Sequence, residues 1–315
     1  MAERRSHIVL GIDPDPSGLW PTVAHRNGRG EGRAPRGDAD LQQPAVAAVL
    51  EHCRALLDAA AGACVAAKLQ LARFEALGPA GSAALRTVAE HARRLGLLVI
   101  ADGKRGDIDV SARAYGSALF GGLETPFGRL EGLGADLATV NPLMGRDALR
   151  PLVSAARAAG GGVLVLVRTS GSGAADIEDL PLRGGGTVWE RLAAIVEELG
   201  ADGVGEVGLS DVGAVMGATE PAHLTRAREL MGRAIFLLPG VGAQGGRVED
   251  LAAAFQPGRA AALIAVSRAI ADAYRSHGGE PAAAARAEAE RLREQAWTLS
   301  ERVLSGSLST GAREA

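Results

Sequence analysis

Eight short apolar runs, each followed by an Ala/Leu/Arg-rich stretch with helical spacing, limit most strongly what this chain can fold into. They are His7–Asp13, Cys64–Gln70, Leu97–Lys104 and Leu137–Pro142, then Val163–Ser170, Val212–Thr219, Ala234–Gly242 and Ala261–Arg268. The runs are apolar on both faces, as parallel strands covered by helices must be. Eight β/α units in one chain point to the α/β class and a closed (β/α)8 TIM barrel rather than an open doubly wound sheet. The spacing predicts helices over Pro44–Gly62, Ser82–Gly96, Asp147–Gly160, Thr187–Gly200, Pro221–Gly232 and Val248–Phe255, several ending at glycine. A further amphipathic helix, Glu280–Leu304, is expected to pack on the barrel or on a partner subunit. The expected organisation is one catalytic barrel over residues 1–279 and a C-terminal helical extension and tail over 280–315. Within the barrel, the Gly/Arg-rich stretch His25–Gln43 reads as a loose insertion and Leu182–Thr187 as a glycine spacer.

Composition narrows the partners. Hydrophobic residues make up 47% of the 315 residues but aromatics only 3%, so the core must be built from Ala, Val, Leu and Ile. The net charge of −3, without a basic stripe, argues against nucleic acid. No apolar run approaches the roughly 18 residues that span a bilayer, so no membrane partner is expected. Cys53 and Cys64 cannot form a disulfide framework and read as buried apolar residues. With no signal-peptide cleavage pattern after the N-terminal "MAERRSHIVLGID", the expectation is a soluble cytoplasmic protein.

The charges collect where such a barrel keeps its active site, at the C-terminal ends of the strands. The stretch "VIADGKRGDID", Val99–Asp109, places Asp102 and Lys104 two apart, so that strand alternation aims both into the barrel mouth. Gly103 and Gly106 permit tight turns, and Asp107 is expected to cap the next helix. Lys68 lies one strand earlier, Asp13 ends the first strand, and Thr169–Ser170 end the fifth. The far rim reads as an anion cradle. "PGVGAQGG", Pro239–Gly246, exposes backbone N–H groups around Gly240 and Gly242, and Ser267–Arg268 closes the eighth strand with a guanidinium.

Seven pieces in this order resemble the orotidine 5'-phosphate decarboxylase family, in particular a longer bacterial branch with an Asp-x-Lys-Arg-Gly-Asp-Ile strand. They are "GIDPDP", "AAKLQLARFEALG", "VIADGKRGDI", "TVNPLMG", "VLVRTS", "PGVGAQGG" and "VSRAI". The resemblance implies that Asp13 and Lys68 hold ribose hydroxyls. Lys68, Asp102, Lys104 and Asp107 would form an alternating charge network, with Asp107 supplied by the other subunit of a homodimer. It further implies that Ser111 sits with Asp107 near the ribose, that Ser170 meets the pyrimidine amide edge, and that Gln244 and Arg268 grip the 5'-phosphate. Three departures stand out: Gly103 replaces an alanine, "NPLMG" lacks an aromatic, and "RTSGSG" lacks the Asn-Pro that usually comes after the serine.

The implied reaction is loss of CO2 from orotidine 5'-phosphate, leaving a C6 carbanion in the ring plane that no π-system delocalises. Lys104 would stabilise that charge and deliver the proton, with Asp102 holding it charged and aimed, and neither metal nor organic cofactor is expected. The six histidines show no metal-ligand spacing. The alternatives are a decarboxylase of a related modified nucleotide, a metal-dependent sugar-phosphate lyase or synthase on the same barrel, and a non-catalytic phosphate binder.

Overall fold

The computed structural model describes residues 1–27 and 38–306. Ten strands occur among them: β1 Ile8–Ile12, β2 Ala66–Gln70, β3 Leu98–Arg105, β4 Leu123–Thr125, β5 Gly128–Leu130, β6 Leu137–Val140, β7 Gly162–Arg168, β8 Val212–Met216, β9 Phe236–Pro239 and β10 Ala262–Val266. Eight close into a barrel in the order β1-β10-β9-β8-β7-β6-β3-β2, every neighbouring pair parallel. These are the eight apolar runs. β4 and β5 form a separate antiparallel hairpin outside the barrel.

Alternation along each strand builds two cores. Val9, Ala66, Ile100, Leu164, Val215, Leu237 and Leu263 point inward and fill the barrel with one aliphatic layer. Their neighbours in sequence, such as Ile8, Leu10, Ala67, Val99, Ala101, Val163 and Val165, point outward into the larger core beneath the helices. Truncating a fully buried member such as Ile100 to alanine costs about 2–5 kcal/mol at such sites.

Several expectations shift. The first long helix runs Asp38–Ala60, starting before Pro44, and His25 and Arg26 belong to a short helix, Pro21–Asn27. The expected loose insertion is therefore helical at both ends, and its residues 28–37 lie outside the described residues. Helix Pro281–Leu304 packs against helix Asp38–Ala60 and the 3-10 segment Val248–Phe255, in the place of a barrel helix after β10. Its Trp297 is flanked by the guanidinium groups of Arg5 and Arg259, at 5.4 and 4.5 Å from the ring centroid, which ties both ends of the chain together. Cys53 and Cys64 are buried free thiols, and burial pushes Cys64 up to about 12. Among the described residues no helix is long and apolar enough to cross a membrane.

Candidate active site

One alternation step above the inner layer, the same inward face carries polar groups. Asp13, Lys68, Asp102, Thr139 and Ser267 come after Val9, Ala66, Ile100, Leu137 and Leu263 at even spacing along their strands, and all five line a cleft of about 270 Å³ at the barrel mouth. Its apolar floor includes Leu166, Val215, Leu237 and Ala265.

Asp102 is the centre of the charged side. Only 5% exposed, it accepts Lys68 Nζ at 2.6 Å on Oδ2, and Lys104 Nζ at 2.7 Å and Thr139 Oγ1 at 2.8 Å on Oδ1. Burial alone would raise its pKa, but the two ammonium groups outweigh that and hold it down at about 2. Burial would likewise discharge Lys68, yet Asp13 and Asp102 overcome it and raise the ammonium above its ordinary 10.5. Lys68 Nζ lies 3.8 Å from Asp13 Oδ1, too far for a hydrogen bond. That buried oxygen has no donor among the described residues and is available to a ligand hydroxyl.

Lys104 does not reach Asp102 by simple alternation. β3 pairs with β6 at Ala101–Ala138 and again at Arg105–Val140, so Asp102, Gly103 and Lys104 stand opposite Thr139 alone. This bulge puts Lys104 at φ +47°, a left-handed conformation costing a side-chain-bearing residue on the order of 1–3 kcal/mol. Thr139 holds it there, its Oγ1 accepting Lys104 N–H at 3.0 Å while donating to Asp102. The motif reading misses Thr139. Its signal is a hydroxyl at an inward position of an otherwise apolar run.

Across the cleft, Ser170 Oγ donates to Gln244 Oε1 at 2.6 Å, bridging the ends of β7 and β9. Gly240 adopts φ +112°, and a Cβ there would crowd both Ser170 Cβ and Gln244 Oε1 at 3.2 and 3.1 Å. Gly242 shapes the same turn, donating to Gly246 O at 2.9 Å, but does not line the cleft. Arg268 lines it beside Ser267, and no ion pair to its guanidinium is found among the described residues, the nearby Asp272 pairing instead with Arg275.

Asp107 and Ser111 are not in the cleft of their own chain. The helix begins at Asp109 with Ile108 as its N-cap residue, so Asp107 is not the expected cap. It sits one residue too early, and among the described residues its Oδ1 accepts only the adjacent Ile108 N–H at 2.8 Å. Around it the loops after β3 and β6 and the first turn of the helix expose Ile108 (66%), Leu143 (82%) and Val110 (70%), with Asn141 N–H to Arg105 O at 2.9 Å joining the two loops.

Fold and site together define a class: a (β/α)8-barrel enzyme whose mouth sets a caged carboxylate opposite an anion grip, for electrostatic work on an anionic small molecule. Known proteins narrow that class. The model of the orotidine 5'-phosphate decarboxylase / HUMPS family matches residues 7–287. Orotidine 5'-phosphate decarboxylase of Deinococcus radiodurans is 43% identical over 71% of this chain and 78% of its own. That of Azoarcus sp. is 36% identical over 93% of both chains. The structure of Leishmania donovani OMP decarboxylase superposes with a TM-score of 0.68 at 29% identity, covering 95% of this chain and 97% of that one. The chain belongs to the orotidine 5'-phosphate decarboxylase / HUMPS family.

Proposed function

We propose that this chain is a carboxy-lyase converting orotidine 5'-phosphate to uridine 5'-phosphate in pyrimidine biosynthesis, working without metal or organic cofactor as a cytoplasmic homodimer. The observation that carries the reading is the Lys68–Asp102–Lys104 cage, set across one cleft from an arginine without an ion-pair partner among the described residues, in a chain of this family.

With the phosphate on Arg268, Gln244 and the Gly240 turn, the base lies over the apolar floor and C6 comes to Lys104. The C6–carboxylate bond breaks, CO2 leaves, and the electron pair stays on C6 in the ring plane. The Lys104 ammonium stabilises that pair and then gives it a proton. Its side chain is 41% exposed before ligand binds, so solvent recharges it between turnovers. Asp102 keeps Lys104 aimed through their 2.7 Å hydrogen bond, and Asp13 receives a ribose hydroxyl.

A metal-dependent sugar-phosphate activity is the rival within the same family. Lys68 opposes it, because its ammonium already lies between the Asp13 and Asp102 carboxylates, where a divalent cation would have to sit. The homodimer reading rests on Asp107, Ser111 and the exposed Ile108, Val110 and Leu143 beside them. A second copy covering that surface would bring Asp107 to the neighbour's cleft. Two buried free thiols suit a reducing compartment.

The deciding assay tracks orotidylate absorbance with chelator-treated protein. Turnover unaffected by chelator is expected. No turnover, or turnover only on adding a divalent cation, refutes the reading.

A further inference from the structure

The segment Arg168-Thr169-Ser170 carries β7 into the cleft, and the next three residues give it no support. Gly171-Ser172-Gly173 is exposed, and the space around the Gly171 Cα is open. With two glycines after Ser170, the loop itself does little to fix where that hydroxyl points.

The support comes from outside the cleft. Arg168, only 7% exposed, donates from Nε and Nη2 to the two oxygens of Asp179, both at 3.0 Å, in a bidentate pair. Glu178 Oε2 accepts both Thr169 N–H at 2.8 Å and Thr169 Oγ1 at 3.1 Å. The two residues before Ser170 are thus gripped by adjacent carboxylates. Those carboxylates are fixed in turn, because Glu178 O accepts Trp189 N–H at 2.8 Å and Leu180 O accepts Val188 N–H at 3.0 Å. Both donors open helix Val188–Gly200, which Thr187 and Glu190 close with a capping box.

On the other side the segment lies against the end of β8. Arg168 O accepts Gly217 N–H at 2.8 Å, and a Cβ at Gly217 would fall 2.8 Å from Ser170 Cα. Ser170 is therefore pressed between a glycine and a carboxylate clamp. Neither Glu178 nor Asp179 lines the cleft, so their influence on a ligand passes through Ser170.

We propose that Glu178 and Asp179 are positioning residues that hold the Thr169–Ser170 backbone so that Ser170 selects the ligand's base, a role that rests on the reading of the cleft as a nucleotide site. The clamp acts first on the base end. The phosphate end is built from the loops after β9 and β10, and among the described residues it meets the clamp through the Ser170 Oγ–Gln244 Oε1 hydrogen bond.

The test is calorimetric titration of the full chain with uridine 5'-phosphate and with ribose 5-phosphate, which keeps the phosphate and sugar but lacks the base. Glu178→Ala is expected to weaken uridine 5'-phosphate about tenfold, the scale of one well-placed hydrogen bond, and to weaken ribose 5-phosphate, which feels Ser170 only through Gln244, much less. Glu178→Asp keeps the charge but withdraws the oxygens by one methylene, and carries the same expectation if the alanine variant does not fold. Glu178→Gln, with an acceptor oxygen at full reach, restores the wild-type ratio. In a Ser170→Ala background, Glu178→Ala should have no further effect. Equal weakening of both ligands, or losses that multiply in the double variant, overturns the clamp. The wild type's own preference for uridine 5'-phosphate over ribose 5-phosphate tests the nucleotide reading separately.

Discussion

Replacing Asp102 by asparagine removes the carboxylate that the two ammonium groups share, and the structure says which of them suffers. Lys104, 41% exposed, can rehydrate. Lys68 cannot, since its side chain is 9% exposed and its other carboxylate, Asp13, is 3.8 Å away. Stranding one member of a buried pair costs about 3–5 kcal/mol. The proton linkage agrees in scale. Asp102 at about 2 against an ordinary 3.8 corresponds to about 2 kcal/mol, present above pH 3.8 and lost as the pH falls through 2. The raised Lys68 contributes below its ordinary 10.5 and loses that contribution as the pH rises through its folded value. Both terms are complete at pH 7, where urea unfolding should show Asp102→Asn and Lys68→Met each destabilised by about 3–5 kcal/mol. The double variant should recover most of that loss, because replacing a buried pair by apolar and neutral groups is close to neutral. None of the three should decarboxylate. A double variant as unstable as the sum of the singles would mean that the two side chains contribute independently, and the cage would have no energetic meaning.

Lys104→Ala should lower turnover at least about a thousandfold, the effect of removing a central electrostatic group, while uridine 5'-phosphate still binds; near-normal turnover sinks the mechanism. Arg268→Ala should weaken uridine 5'-phosphate by about 2–5 kcal/mol and uridine hardly at all, and equal losses would make Arg268 structural. His7 is fully buried, and burial, reinforced by the nearby Arg259 charge, lowers it to about 4. The unfolded chain therefore gains a proton there that the folded chain refuses, and His7→Phe should remove about 3 kcal/mol from the stability lost between pH 6.5 and 4; an unchanged acid slope refutes this. Mixing inactive Lys104→Ala and Asp107→Ala subunits should return about a quarter of wild-type activity, since about half the dimers are mixed and each has one intact site. Exchange without recovery would take Asp107 out of the partner's site.

The range of the interactions decides which features were legible in the sequence. All eight barrel strands were legible because a strand buried on both faces leaves an unbroken apolar run, and Lys68 and Asp102 stood out as charges ending such runs. The β3 bulge was not legible. Nothing in "ADGKR" marks where three residues will face one, because the bulge is a relation between β3 and β6. Thr139 was legible only as an inward hydroxyl in an apolar run, and its two hydrogen bonds depend on that bulge. The hairpin of β4 and β5 escaped because its Leu123, Phe127 and Leu130 are exposed, so no buried face patterns its sequence. Nothing in the sequence pattern joins Glu178 and Asp179 to Arg168 and Thr169; only the fold brings them together.

The cage also gives a reason why Lys104, to which we assign the proton transfer, sits in left-handed backbone. A lysine on a regular strand could swing away from its carboxylate, since its long side chain has many rotamers. At φ +47° Lys104 is held by its own N–H on Thr139, and the same hydroxyl donates to Asp102. Backbone and side chain are thus referred to one fixed point, and the ammonium is aimed before any ligand arrives. Preorganisation of this kind is what lets a charge stabilise a carbanion without reorienting as the charge develops. The strain and the buried ions are carried by the aliphatic layer directly below, from Val9 to Leu263, whose burial is indifferent to the chemistry above it.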